Sequence, residues 1–448
     1  MKDRINSERK KLEGLASQVL DICRQKGAEQ CIVKINKDTG LTVSSHDCAQ
    51  EEKEFNKSRG IAITVLKNGK KGNASTSDIS LDAINKTAEA AIEFSAYAEV
   101  DPAMGLADPE LMVRKAIDLD RCYPEEPDAE VALKEAIALD KMCQGRDPRI
   151  AQVRKAAYSN RYGISVYANS HGVLQSEPYS VFAKNVLLVS EHENKMHMGG
   201  SFSYGCKSDL LWDNERIAKD AVEDAVALVG ARSIPTGNYP VIFRREEATG
   251  LFMRLLGAIS GMAQFHHSTF LDNALGRQVL PSFIDVCDRP LIKQGLSSQY
   301  FDEDGLKTGD ISYVSRGVVE NYRLSVYSAR KLGLKPNGTN YGSSNFEVID
   351  HNAPNLSFDD LLVKMDRGFL VTQLMGQGVN DVTGDYSRGA SGFWVENGKI
   401  QFPVEGVTIA GNLKDMLRNI VAVGADYDER YTMKTGSVLL DSQKIAGA

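Results

Sequence analysis

Two Asn-Gly pairs, each flanked by runs of β-branched and aromatic residues, constrain the fold of this chain most strongly. Asn68-Gly69 follows the run GIAITVLK, and Asn397-Gly398 separates GFWVE from KIQFPV. Asparagine and glycine tolerate the positive φ angles that both central residues of a tight hairpin turn require. The sequence therefore predicts antiparallel hairpins at both positions, one early and one late in the chain.

The length of the chain predicts more than one domain. It has 448 residues, and single hydrophobic cores stop growing well below that size, so we expect two or three domains. Two connectors rich in proline, glycine or acidic residues, CYPEEPDAE and IPTGNYP, are candidate boundaries. They divide the chain into residues 1–122, 123–232 and 233–448.

Helical and strand patterns follow one another along these segments. Apolar residues recur at helical spacing in four stretches: the residues before Gly27, residues 80–98, residues 128–143, and the stretch from Asp213-Asn214 to Gly230. Strand patterns occupy the runs CIVKI, GLTVSS and GIAITVLK and most of residues 150–206. The sequence therefore predicts a protein with both helices and sheets in each of its first two segments.

Charge and cysteine content exclude several classes of partner. The formal net charge is −7 and the pI is near 5.7, without a run of basic residues, so we expect no direct binding to nucleic acid or to an anionic membrane. No stretch approaches the roughly 20 apolar residues of a spanning helix. Seven scattered cysteines without a C-x-x-C pair fit free thiols in a reducing compartment. A cytoplasmic protein is expected.

The string HENKMH, residues 192–197, resembles a zinc motif but has the wrong context. His192 and His197 are five residues apart, which places them on different faces of a helix. The string follows the strand pattern SVFAKNVLLVS, so we expect a hairpin with its turn at Asn194-Lys195. That turn would place the two histidines opposite each other, but two exposed ligands lack a third. We interpret the string as a solvated turn.

Other short motifs are incomplete. His266-His267 has no patterned acidic partner, and FDEDG at 301–305 lacks the closing glutamate of a calcium loop. Ser391 in GASGF does not match the Gly-x-Ser-x-Gly nucleophile motif. GQGVNDVTG lacks the third glycine of a dinucleotide-binding loop. We interpret the histidine pair as part of a polar loop and FDEDG as an acidic turn. We expect neither a nucleophile motif at Ser391 nor a nucleotide site at GQGVNDVTG.

The most informative stretch is glycine-dense and lies between residues 374 and 424. Gly378 and Gly384 permit close approach of backbone to backbone or of an extended ligand, while Asp385, Tyr386 and Arg388 supply an acceptor, an aromatic face and a planar set of donors. This mixture suits a cleft that binds peptide backbone or a partner surface. A tightly packed sheet corner explains the same residues equally well, so both interpretations stay open.

Three strings in the last part of the chain resemble a known family. TGDYSRGASGFWVENG, AGNLKDMLRNIVAVG and YSARKLGL are similar to the PmbA/TldE side of the TldD/TldE metalloprotease family, and the resemblance runs from the N-terminal helix and EFNKSRGIAITV to KIAGA. It implies an α+β fold, in which an N-terminal α/β segment and a middle α+β segment pack on a larger, mainly β C-terminal domain. It also implies one subunit of a cytosolic heterodimer that degrades unfolded peptides, matures peptide antibiotics and removes antitoxins. The removal of antitoxins is the activity to which the name "modulator of DNA gyrase" refers.

The resemblance also implies that the metal motif is lost in this chain. In TldD, a HExxxH helix follows a strand near the start of the last domain, and the corresponding stretch here is VIFRREEATGLFMRLLGAISG. Arg245 and Gly250 then stand where the histidines would be, and Glu246 keeps the glutamate. The third TldD ligand is a C-terminal cysteine, but Lys434-Thr435-Gly436 occupy that region. Arginine has a fixed charge and glycine has no donor atom, so neither binds a cation.

These observations lead to one main hypothesis and two alternatives. The main hypothesis is a metal-free subunit without a cofactor of its own, whose TldD-like partner carries zinc and whose glycine-rich cleft shapes a shared chamber for unfolded peptides. One alternative is a stand-alone homodimer that captures extended peptides by strand addition without cleaving them. The other is an independent hydrolase that uses His192 and His197.

Overall fold

The computed structural model describes residues 1–342 and 344–447 and has the mixed α+β architecture that the sequence predicts. The first half of the chain forms these elements: α1 (Lys2–Gln25), β1 (Gln30–His46), β2 (Ala49–Lys67), β3 (Lys70–Thr76), α2 (Leu81–Tyr97), α3 (Ala129–Cys143), β4 (Ile150–Asn169), β5 (Leu174–His192), β6 (Lys195–Gly205) and α4 (Asn214–Val226). Among the described helices, none combines the length and apolar character needed to cross a membrane.

One antiparallel sheet runs through the first two segments of the chain. Its six strands have the order β3-β2-β1-β4-β5-β6. The register between β1 and β4 extends from the pair Ile32 and Asn169 to the pair Ser45 and Ala156. Strands from both sides of the connector at residue 122 therefore share one hydrogen-bonded sheet.

Apolar residues at helical spacing bury α1 against this sheet. Leu12, Ala16, Val19 and Cys23 lie on one face of the helix and are almost fully buried. They pack in a cluster that also contains the β1 residue Val33 and buried side chains of β2, α2 and β4. The removal of this apolar surface from water drives the helix onto the sheet.

Both Asn-Gly turns form as the sequence predicts. Asn68 and Gly69 have φ angles of 53° and 69°, and Asn397 and Gly398 have φ angles of 52° and 66°. The turns connect β2 to β3 and β13 (Asp385–Glu396) to β14 (Lys399–Asn412). Residues that tolerate positive φ thus set the register of both hairpins.

The predicted hairpin at residues 192–197 forms, but the predicted turn was wrong by one residue. Glu193 and Asn194 have the positive φ angles, so His192 pairs with Lys195 and Ser190 pairs with His197. His192 and His197 are therefore not opposite each other. His197 instead places Nε2 3.1 Å from a carboxylate oxygen of Glu405 on β14.

The second half of the chain contains two further sheets and five α-helices among the described residues. In addition to β13 and β14, its elements are β7 (Gly237–Phe243), α5 (Arg245–Ala258), α6 (Gly261–Phe265), β8 (Ile284–Asp288), β9 (Ile311–Ser315), β10 (Val318–Val319), α7 (Val326–Lys331), β11 (Phe346–Asp350), α8 (Phe358–Met365), β12 (Gly368–Met375), α9 (Leu413–Arg418), β15 (Ile420–Val423), β16 (Met433–Lys434) and β17 (Val438–Ala446). One sheet has the order β10-β9-β8-β11-β16, and the other has the order β14-β13-β12-β7-β17-β15.

The second of these sheets closes on itself around the largest core. β17 pairs with β14 as well as with β7, so β14, β13, β12, β7 and β17 form a continuous ring. Strand β7 is parallel to β12 and antiparallel to β17, and its residues Val241, Ile242 and Phe243 are fully buried. This buried strand leads directly into α5, which positions the helix that carries the candidate site.

A half-buried ion pair of the C-terminal domain contacts the middle segment. Arg430 Nη2 lies 2.5 Å from Asp428 Oδ2, and these side chains are only 13% and 6% exposed. The guanidinium also donates to the Phe202 carbonyl at 2.7 Å and lies over the Trp212 ring at 4.2 Å. Burial alone would raise the pKa of Asp428, but the hydrogen bonds and charge of Arg430 outweigh burial and lower it.

We expect Arg430→Ala to destabilise the protein, because it removes the hydrogen-bonded cation from the half-buried Asp428 carboxylate. The expected loss in the free energy of unfolding is about 1–3 kcal/mol, measured by thermal and urea denaturation. An Asp428→Asn, Arg430→Met double variant should recover most of the loss, since no buried charge remains unpaired. Replacement of the exposed Arg277 by alanine is the matched control.

The effect of Arg430→Ala should also depend on pH. Because the pKa of Asp428 is lowered in the folded state, the pair contributes fully above the ordinary aspartate pKa of about 3.9. Its contribution is lost as the pH falls through the lower folded pKa. Equal melting temperatures of the single and double variants at neutral pH would contradict an electrostatic role for this pair.

Candidate functional site

Helix α5 is fixed at its N-terminus by two neighbouring strands. The Arg244 amide donates to the Val371 carbonyl on β12, and the Arg245 amide donates to the Ser437 hydroxyl beside β17. Ala248, Leu251, Phe252, Leu255 and Leu256 form the apolar face of the helix and are buried in the main core. The opposite face of α5 is polar and faces the surface.

Two arginines hold the glutamate of the degenerate metal motif. Glu246 accepts from Arg244 Nε at 2.7 Å and from Arg245 Nε at 3.1 Å. Arg245 also donates Nη1 to the Asp426 carbonyl at 3.2 Å. The Glu246 carboxylate is therefore paired with two fixed cations, and neither arginine can bind a metal ion.

The other motif positions also lack metal donors. A Cβ at Gly250 would meet open space, and Lys434, in the region expected for the third ligand, borders the same cleft as Arg245. Gly436 packs so closely on the Gly424 carbonyl that a side chain there would overlap it. In residues 1–342 and 344–447, no three His, Cys, Asp or Glu side chains are grouped as metal ligands. These residues do not fit a zinc ion.

Two clefts border α5, one at each side of the motif. The first, here called the interdomain cleft, has a volume of about 740 Å³ and lies between the middle segment and the C-terminal domain. Arg245 and Lys434 face it together with Trp212, Asp428 and Arg430. The half-buried Asp428–Arg430 pair therefore forms part of the wall of this cleft.

The second cleft, here called the α5 cleft, has a volume of about 430 Å³. One wall is the polar face of α5, with Glu247, Gly250 and Arg254, and the other wall is formed by Tyr386 and Arg388 on β13. The remaining lining residues are Leu251, Met253, Gly257, Ala258, Ala263, Ser268, Thr269, Leu374 and Asp381. The cleft thus combines apolar surface with a few polar groups, as ligand sites usually do.

The residues predicted for the glycine-rich loop separate into two groups. Tyr386 and Arg388 lie two positions apart on β13, so both face the α5 cleft. Gly378 and Gly384 instead form the sheet corner, where a Cβ at Gly378 would overlap the Ser387 carbonyl oxygen and Gly384 has a φ of 82°. Asp385 accepts from the Thr383 hydroxyl at 2.6 Å in the same corner. The cleft and the corner are thus both present, next to each other.

Two donors of the α5 cleft are buried without an acceptor among the described residues. They are the Tyr386 hydroxyl and the Arg388 Nε. Burial raises the pKa of Tyr386 to about 12, and the nearby Arg388 charge opposes this shift. Burial also raises the pKa of Glu247, again against the effect of Arg388. The site therefore favours a neutral tyrosine that can donate a hydrogen bond.

Glu247, Arg254 and Gly257 were not predicted as site residues. Together with Gly250 they lie three, four and three positions apart, which places them on one face of a helix. This stripe, on the side of α5 opposite its apolar residues, was the available signal. The residues of the interdomain cleft gave no comparable signal, because they come from distant parts of the chain.

The other candidate motifs have structural partners. His267 Nδ1 lies 2.9 Å from Asp272 Oδ1 in an exposed loop. In FDEDG, Asp302 accepts backbone hydrogen bonds from Asp304, Leu306 and Asn340, and burial raises its pKa to about 7. Ser391 is buried within β13. None of the three lines the α5 cleft or the interdomain cleft.

Comparison with known proteins identifies the family. The profiles of PmbA/TldA metallopeptidase domain 1, central domain and C-terminal domain match residues 33–95, 122–229 and 236–447. The chain is 39% identical to Metalloprotease PmbA of Escherichia coli O157:H7 and 37% identical to the Metalloprotease PmbA homolog of Haemophilus influenzae, in each case over 99% of this chain and 98% of the relative. TldE from Thermococcus kodakarensis has the same fold, with a TM-score of 0.84 at 19% identity over 97% of this chain and 100% of that chain. The chain belongs to the PmbA/TldD metallopeptidase family.

Proposed function

We propose that this chain is the metal-free, TldE-like subunit of a cytoplasmic zinc metallopeptidase that degrades or processes unfolded peptides. The observation that carries the proposal is the replacement of all three expected ligand positions by residues that cannot bind zinc. Arg245 is held by Glu246 and Asp426, Gly250 has no side chain, and Lys434 carries a positive charge. A TldD-like partner then supplies the metal and the reaction centre.

The α5 cleft supports a role in forming the peptide chamber of the complex. The cleft lies beside the degenerate motif. A peptide bound there would therefore lie along α5, the helix of this chain that corresponds to the ligand-bearing helix of a TldD-like subunit. Its mixture of apolar walls with Tyr386, Arg388 and Glu247 suits an extended peptide, which needs both side-chain contacts and hydrogen bonds. This chain would therefore contribute substrate binding, while the partner contributes chemistry.

The proposal predicts that activity requires two different subunits. The purified chain alone should show no o-phenanthroline-sensitive cleavage of an unfolded peptide, because it holds no zinc ligands. Addition of a zinc-loaded TldD-like subunit should produce cleavage together with a new species of the mass of a heterodimer, measured by chromatography and light scattering. Chelator-sensitive cleavage by this chain alone, or a stable homodimer that excludes the TldD-like subunit, would refute the proposal.

The two groups of loop residues should respond differently to substitution. Arg388→Ala removes one partly buried hydrogen bond, to the Leu374 carbonyl, so we expect a stability loss of only about 1 kcal/mol but a decrease of roughly tenfold or more in cleavage by the complex. Asp385→Ala, which alters the exposed corner, is the matched control and should leave cleavage within about twofold. Unchanged cleavage with Arg388→Ala would exclude a binding role for the cleft.

A further inference from the structure

The α5 cleft presents two buried donors that lack an acceptor. Tyr386 is only 3% exposed, and its hydroxyl, whose oxygen the Arg388 side chain approaches as a donor, has no acceptor for its proton among the described residues. The Nε of Arg388, two residues along the same strand, is also buried without a partner. Buried donors without partners cost free energy, so an arrangement of two adjacent ones favours a ligand that brings an acceptor.

The charges in the cleft indicate which kind of acceptor group it would bind. Arg254, the other arginine of the cleft, is paired with Asp381 at 2.5 Å. The Arg388 side chain donates to the neutral Leu374 carbonyl at 3.2 Å, and none of the ion pairs formed by described residues includes it. A carboxylate fits best, because it accepts from two donors at once and compensates the charge of Arg388.

Glu247 is the group that opposes this binding. It faces the same cleft, and its ionised form would repel a bound carboxylate. Burial favours its neutral form, since the pKa of Glu247 is raised.

The shape of the cleft accommodates the end of a peptide. Leu251, Met253 and Leu374 provide apolar surface for a terminal side chain. Gly250 and Gly257 lie along the α5 wall, where a Cβ would meet no atom within 4 Å, so the chain that precedes the terminal residue has room to leave the cleft.

From these observations we propose that the α5 cleft binds the C-terminal carboxylate of a peptide with an apolar last residue, held by Arg388 and the Tyr386 hydroxyl. This inference rests on the proposed function and adds the substrate class: peptides with a free C-terminus. This chain would bind the C-terminal end of the peptide. A peptide bond closer to the N-terminus would then reach the partner subunit.

The test compares two peptides that differ only at the C-terminus. Fluorescein-labelled nonapeptides that end in leucine, one with a free carboxylate and one amidated, are titrated with the isolated chain and followed by fluorescence anisotropy. We expect the free acid to bind at least about tenfold more tightly, because the amidated peptide cannot form the charge-assisted, bidentate contact. Equal affinities, or no binding of either peptide at millimolar protein, would overturn the proposal.

Variants should shift this preference in opposite directions. Arg388→Gln should abolish the preference for the free acid, and Tyr386→Phe should reduce it severalfold. Glu247→Gln should increase the affinity for the free acid, because a like charge is removed. Arg277→Gln, at an exposed position, is the matched control and should change nothing. Melting curves of all variants establish that they are folded.

The remaining outcomes separate this inference from the proposed function. Retention of the preference by a folded Arg388→Gln variant, or weaker binding by Glu247→Gln, would assign the carboxylate to another site and refute the inference. Because binding is measured on this chain alone, such a result leaves the requirement for a TldD-like subunit unaffected. A reconstituted complex that fails to cleave any peptide would refute the proposed function without changing the binding result.

Discussion

The architecture of the candidate site depends on one buried strand. Val241, Ile242 and Phe243 of β7 are fully buried, with β12 hydrogen-bonded on one side and β17 on the other. Both edges of β7 are occupied, so the strand cannot shift its register without breaking two ladders and exposing its side chains. Helix α5 begins immediately after it. The strand therefore fixes where Arg245 meets Asp426 and where the polar face of α5 meets β13, and both clefts follow from this placement.

The replacement of metal ligands changes what this helix can do. In place of neutral or anionic donors, the first position carries an arginine that is held by Glu246 and by the Asp426 carbonyl, so the site stabilises itself without an ion. The open backbone at Gly250 adds room to the α5 cleft instead of a ligand. In the proposed complex, this helix would support peptide binding, and the corresponding helix of a TldD-like subunit would hold zinc.

Much of the fold, but only part of the candidate site, could be predicted from the sequence. The turns at Asn68-Gly69 and Asn397-Gly398 are determined by local backbone preferences, and α1 by the spacing of its apolar residues, so both were predictable. The turn at Glu193-Asn194 was not, because Asn194 can occupy either central position, and contacts of Lys195 and His197 with the distant Glu405 accompany the observed register. The cleft and the corner of the glycine-rich loop could not be separated for the same reason: the distinction depends on which residues α5 packs against.

The zinc content of the assembled complex tests the central claim most directly. Native mass spectrometry of this chain bound to a zinc-loaded TldD-like subunit counts the ions in the pair and, after gas-phase dissociation, shows which chain retains them. The account predicts one zinc ion per pair, retained by the TldD-like subunit. Two zinc ions per pair, or a zinc ion retained by this chain, would contradict it.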